Sequence, residues 1–374
     1  VLVVAADAFI VGTALAHVMG GSSWVAAPII AALLGAAVVS NLRGVTVAGS
    51  VQDVATYSVL VLTSVLAVTA LVRSHRALRF PVAPLHGHTP ADFLEAVALG
   101  VFLFSAFEWV TTSAEEVRRP RHVQRGMLIA LALLVVVCSL ITVAMSHVLD
   151  HHQLVSAYPQ LFLGRAALGR AGLWLAAAVT AVTAVNTFNG GFITASRFIY
   201  ATAREGSLPP LLARLNDRAV PWVPVVALGG SSLVVSLVVA GTGSWAVLVA
   251  VGAALEAMIY AVAAYCVLRL RSRLAGQDRP FRLPGARLLG VTGIAVFGVL
   301  AVVAAVSVDN RFDPVPLVVI AGSAGLCALY VLAVLPRVRA AEEARRAARG
   351  RRRPSRPSVG GDLAPGADAG ATGP

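Results

Sequence analysis

Glu108 is the residue in this chain whose chemistry is hardest to explain as structure alone. It follows directly on the run Phe102, Phe104, Ser105, Ala106 and Phe107, which sits where the midplane of a membrane would fall. An ionisable group at that depth costs about 2.5–3.5 kcal/mol on insertion scales, so it faces a cavity or a partner and is a functional candidate by default. The competing reading is that Glu108 snorkels to a nearby interface, or is buried and hydrogen-bonded to Thr111 or Thr112. Two further carboxylates lie in apolar surroundings. Glu256 stands four residues before Tyr260, which puts the two on one helix face. Asp7 lies in the first apolar stretch, where an interfacial position is the alternative.

A second polar set comprises Asn186, Thr187, Asn189, Gly190, Gly191 and Thr194. Their oxygens suit an ion or a substrate. Interhelical hydrogen bonding and close packing through small residues explain them equally well. The residues His75, His86, His88, His147, His151 and His152 fall in or beside the longer polar segments 73–91 and 149–172. His151 and His152 are conceivable metal ligands, but solvated loop is the better reading.

The elements that position these residues are membrane helices. Hydrophobic residues make up 58% of the 374 residues, charged ones 13%, and the mean hydropathy is +0.81. These values exclude an ordinary soluble domain. Apolar runs near the spanning length of about 20 residues recur ten times, at 1–19, 24–41, 51–72, 92–112, 126–148, 173–200, 222–241, 245–268, 289–308 and 315–335. Their length and continuity exclude a β-barrel. The expected class is an all-α integral membrane protein.

The net charge of +12 does not indicate nucleic acid. All 30 basic residues are arginines in short clusters between apolar runs, a topological pattern. One orientation puts 24 arginines on the cytoplasmic side and 6 outside, with the C-terminus cytoplasmic. Cys138, Cys266 and Cys327 read as reduced packing residues. The arginine-rich stretch 337–374 passes into Pro, Gly and Ala and is expected to be a disordered tail, either solvated or lying on anionic lipid. Residues 1–336 form the membrane domain. The segment 100–125 reads as a helix that interrupts itself and ends in Glu115, Glu116, Arg118 and Arg119, with Pro120 stopping it. Those charges serve as a topological anchor and ion-pair network, or as part of an inner gate.

Four motifs carry a resemblance to the amino acid, polyamine and organocation permeases. They are Asn41-Leu42-Arg43-Gly44-Val45; the 100–125 stretch, similar to a broken helix with an FxGFE core; Ala195 to Pro209 with Asn216 to Pro224; and Asp278 to Gly285, similar to an RPFRxPG segment. The resemblance implies a five-plus-five inverted repeat, of which this chain would supply helices three to twelve, and it reads as cut upstream of Val1. It implies secondary active transport of amino acids or related amines across the cytoplasmic membrane by alternating access, with no cofactor beyond a coupling H+ or Na+. Phe104 to Phe107 would be the unwound part, Phe102 the aromatic closing over substrate, and Glu108 a gating or proton-sensitive carboxylate. Asn186 and Asn189 would line the substrate site. Glu256 and Tyr260 would form an outer gate or charge relay. An ammonium or guanidinium substrate suits aromatic faces and carbonyl dipoles. Two departures stand out: Ala106 replaces the usual Gly, and Tyr57-Ser58-Val59 lacks the Lys of proton-coupled members. A non-transporting sensor or scaffold, or an inactive truncated relative, is the alternative. A membrane enzyme is disfavoured, because the sequence holds no HExxH, GxSxG or P-loop.

Overall fold

The computed structural model describes residues 1–21, 23–74, 89–104, 106–116, 120–274, 285–308 and 311–341. Nine helices in these residues are long and apolar enough to cross a membrane, and the first predicted span is the 17-residue helix Leu2–Val18. The chain is a multi-pass, all-α membrane protein. In order, the helices are α1 (Leu2–Val18), α2 (Ser23–Leu42), α3 (Val45–Arg73), α4 (Pro90–Leu103), α5 (Pro120–Val148), the single turn α6 (His151–Leu154), α7 (Pro159–Arg204), α8 (Trp222–Thr242), α9 (Trp245–Arg273), α10 (Ala286–Val306) and α11 (Val315–Leu329). A π-helical turn, Tyr330–Val334, follows α11, and the helix runs on to Ala341. The rest of the tail lies outside the described residues.

In hydrocarbon every backbone polar group must be satisfied within its own segment, which is why these runs are helical. Helix α4 starts where Thr89 and Asp92 form a capping box, the Thr89 hydroxyl accepting from Asp92 N at 3.3 Å and Asp92 Oδ2 from Thr89 N at 2.7 Å. Pro120, expected to end the broken helix, instead begins α5; a proline has no N–H to lose at a first helical turn. The charged residues before it yield no ion-pair network that can be described. Residues 117–119 are outside the described set, as is the expected RPFRxPG segment up to Pro284. Gly285 then caps α10 at φ 65°.

Packing relies on small side chains, as expected where lipid removes the hydrophobic drive between helices. Ala5, Ala8, Ala14, Ala253, Ala254 and Ala257 are all fully buried. Helix α1 packs against α2, α7, α8 and α9, so the first helix lies inside the bundle. Helix α3 lies along α7, and α9 along α10 and α4. One buried cluster joins α1, α2, α7 and α8 around Ile30, Leu34, Phe188 and Phe192.

The polar segment 149–172, read as a solvated loop, is largely helical. It holds α6, capped by Asp150 and Gln153, and the first arm of α7. The 46-residue α7 breaks at Leu168 (φ −135°, ψ 18°) and Gly169 (φ 64°, ψ −139°). There the outer arm folds back so closely that a Cβ on Gly172 would overlap the carbonyl oxygen of Gly164. His151 and His152 are exposed and His147 is buried. Among the described residues no group of three His, Cys, Asp or Glu side chains converges as metal ligands.

Candidate functional site

The interruption after Phe104 is real. Helix α4 ends at Leu103, and Phe104 N tightens the last turn by donating to Val101 O at 3.1 Å. Ala106 then takes φ 78°, and Trp109 N donates to Ala106 O at 3.1 Å to open the 3-10 segment Phe107–Glu116. A left-handed backbone costs an L-residue about 1–2 kcal/mol. The expected obstacle, a Cβ at 106, is therefore accommodated at a cost, with the break where the sequence places it. Ser105 lies outside the described residues.

Glu108 sits in the first turn beyond the break and is half-buried. Tyr260 of α9 donates its hydroxyl proton to Glu108 Oε2 at 3.0 Å. The Glu256 carboxyl group lies within hydrogen-bonding reach of both Glu108 and Tyr260. Its Oε1 is buried with no partner. The spacing of Glu256 and Tyr260 thus does put both on one face, and that face meets Glu108. Tyr260 is held from both sides, its ring 6.0 Å from Phe107 and 5.2 Å from Phe297 of α10. Of the partners considered for Glu108, Thr111 donates to its backbone carbonyl at 2.7 Å; nothing is described of the Thr112 side chain.

A cavity of about 290 Å³ opens beside this group, lined by Val4, Trp109, Gly191, Thr194, Gly252 and Glu256 among others. Glycines on α7 make the room: a Cβ on Gly191 would stand 3.4 Å from the Trp109 indole. Phe102 does not line this cavity. It is packed on Gly252, where a Cβ would come within 2.7 Å of its ring. The aromatics at the cavity are Trp109, which the sequence reading passed over although it adjoins Glu108, and Phe192 of α7.

Asn186 and Asn189 are not at this cavity either. Asn186 Nδ2 donates to Thr56 Oγ1 of α3 at 2.9 Å, and Asn41 Nδ2 of α2 donates to Asn189 Oδ1 at 3.0 Å. These are the interhelical bonds that were the alternative for this polar face. Both amides keep one buried atom without a partner, Asn186 Oδ1 and Asn189 Nδ2. Asp7 of α1 interacts with Thr187 of α7. One other residue was missed, and one was named only within a motif. Glu95, buried on α4, accepts a hydrogen bond from Ser307 of the short hairpin Ser307–Val308 with Arg311–Phe312; a carboxylate inside a predicted span was the available signal. Asn216 ties the loop before α8 to the end of α2, donating to Leu42 O at 3.1 Å and accepting from Arg218 N and Val220 N.

The chain is similar to known amino acid transporters. The Asc-type amino acid transporters 1 of mouse and rat are each 27% identical to the chain over 215 residues, and the human protein is 26% identical over the same length. The match covers 57% of this chain and 39% of those proteins, so the chain spans well under two thirds of the length of these relatives. Broader coverage comes from the amino acid permease family, whose pattern extends over residues 1–335 and so takes in the broken helix, the Glu108 group and every helix as far as α11. The chain belongs to the amino acid permease family.

Proposed function

We propose that the protein moves amino acids or related amines across the cytoplasmic membrane by alternating access around the break between α4 and the 3-10 segment, with its C-terminus in the cytoplasm. The observation that carries this reading is the break itself. Ala106 holds φ 78° three residues before Trp109, whose side chain lines a cavity of about 290 Å³, and irregular backbone at membrane depth is tolerated where it is buried in protein or lines such a space. The cavity matches a substrate with an apolar side chain and an ammonium group: it offers the Trp109 face, the Thr194 hydroxyl and the Glu256 carboxyl group.

Glu108 is the residue on which coupling turns. It stands next to the break, shares Tyr260 with Glu256 and faces a second carboxylate, so a proton bound there stabilises the contact of the broken helix with α9. The coupling ion in this reading is H+, with Na+ as the competing outcome of the test.

Uptake of labelled amino acids and amines into proteoliposomes tests the reading, using the longest natural form of the polypeptide. Accumulation of one substrate, with Glu108→Gln removing its pH dependence, is the expected result. A sodium requirement that survives Glu108→Gln would assign coupling elsewhere. Failure to move any substrate in the set would leave a non-transporting sensor or scaffold as the function.

A further inference from the structure

A groove of about 390 Å³ lies between the 3-10 segment and α5, and it shares no lining residue with the cavity beside Glu256. That volume is in the range of small-molecule sites, about 300–1,000 Å³. Phe107 and Val110 of the 3-10 segment form one wall, and His122, Val123, Gly126, Met127 and Ala130 of α5 form the other. His122 is the one polar side chain among these lining residues. Gly126 makes the room, since a Cβ there would meet no atom within 4 Å. Phe107 also lies 6.0 Å from Tyr260, so the groove abuts the residue that joins the break to α9.

The groove is on the lipid side of the bundle. Helix α5 is scarcely buried, and Val110 at the groove is exposed, as are Leu128 and Ile129 on α5. Its polar end is at the membrane surface. The apolar span of α5 begins at His122, and Ala130 lies about 12 Å further along the helix, close to the about 15 Å of one leaflet's hydrocarbon. The charge at that end is positive: residues 115–125 hold four arginines and two glutamates. Arg125, exposed and one turn into α5, has a stem long enough to carry its guanidinium to headgroup level. His122 offers a ring N–H to a phosphate oxygen. A free phosphate would leave the apolar walls uncovered, and a zwitterionic headgroup would bring an ammonium into an excess of positive charge. A lipid of net negative charge satisfies both the walls and the cations.

We propose that this groove binds one anionic phospholipid, with an acyl chain along Val123, Gly126, Met127 and Ala130 and the phosphate at His122 and Arg125. The site is separate from the proposed transport site and does not rest on that reading. The acyl chain covers Phe107 and so supports the 3-10 segment from the membrane side.

Native mass spectrometry of the purified chain titrated with phosphatidylglycerol, against phosphatidylcholine of the same acyl chains, tests the proposal. The first phosphatidylglycerol should bind more tightly than any later one, and about fivefold more tightly than the first phosphatidylcholine, as for one arginine at a headgroup. Arg125→Gln should remove that preference while leaving phosphatidylcholine binding unchanged, and His122→Ala should weaken both lipids about threefold. Gly126→Leu puts a side chain into the groove where its Cβ is unobstructed and replaces a poor helix former. That variant should melt no lower than the native chain and should lose the tight site. Leu128→Phe, on the opposite face of α5, should bind both lipids as the native chain does. Equal phosphatidylglycerol affinity in the native chain and Gly126→Leu would overturn the site, since it would show unspecific boundary lipid only. Equal affinity of the native chain for the two lipids would overturn the anionic assignment, and unchanged binding in both Arg125→Gln and His122→Ala would overturn the headgroup placement. Displacement of phosphatidylglycerol by inorganic phosphate would overturn the proposal in favour of a free phosphate. Native dimers that vanish in Gly126→Leu would give the groove to a second copy of the chain instead.

Discussion

Two helices of this protein are interrupted, and they are interrupted in opposite ways. In α7 the positive φ falls on Gly169, a residue that adopts it freely, and the turn is sealed by the backbone approach of Gly164 to Gly172. Beyond α4 the positive φ falls on Ala106, which bears a strain cost. There the surroundings are side chains: Tyr260 on Glu108, Phe107 beside Tyr260, Trp109 over the glycine floor of α7. The α7 joint is built from backbone in contact with backbone and has no freedom to rearrange. The α4 break is held by hydrogen bonds and ring contacts that a proton or a substrate can exchange. Strained backbone persists where its surroundings over-determine it, and here those surroundings are the groups proposed to respond to ligand.

The contrast can be broken at either end. Gly172→Ala should have the largest effect, at or above the upper end of the about 1–3 kcal/mol typical of overpacking, because no rotamer change moves a carbonyl oxygen. Its readout is a fall in the melting temperature or in the recovered monodisperse protein. Below the joint, Asn41→Ala removes the donor on Asn189 and leaves a buried amide unpaired, at about 1–3 kcal/mol; the same melt measures it. Gly169→Ala meets open space and bears only the left-handed backbone cost, about 1 kcal/mol. If it were as damaging as Gly172→Ala, the joint would depend on the turn and not on the close approach.

At the α4 break the expected effects on stability are smaller and those on function larger. Tyr260→Phe removes one hydrogen bond to Glu108, about 0.5–1.5 kcal/mol, and should alter the pH profile of uptake more than the melting temperature. Ala106→Gly should be the mildest change. Relief of left-handed strain is partly offset by the added freedom of glycine in the unfolded chain, for a net gain below about 1 kcal/mol. A destabilising Ala106→Gly would show that the methyl group packs productively, and that the α4 break resembles a fixed joint after all.

The sequence carried an interrupted helix within 100–125 because the aromatic-and-small run and the carboxylate after it are local features, and the family resemblance narrowed the break to 104–107. It also placed Glu256 and Tyr260 on one face, since that depends only on helical periodicity. It did not reveal that this face meets Glu108, 152 residues away along the chain. Nor did it distinguish Phe102 from Trp109 as the ring near the break that lines the cavity. Both are large rings near the break, and the choice depends on which glycines lie opposite: Gly252 faces Phe102, and Gly190 and Gly191 face Trp109. Asn186 and Asn189 left two readings open for the same reason. A polar face on a membrane helix gives no sign of whether a ligand or a neighbouring helix completes it.

By itself, then, the sequence determined the solvent, the helical class and the position of the interruption. A long apolar run in lipid must satisfy its own backbone, and an intramembrane carboxylate beside small residues marks where it does not. The tertiary structure alone decided the partners. Whether Glu108 meets Tyr260 or Asn189 meets Asn41 depends on how the helices are rotated and apposed. In lipid that is set by the close packing of small residues from distant parts of the chain.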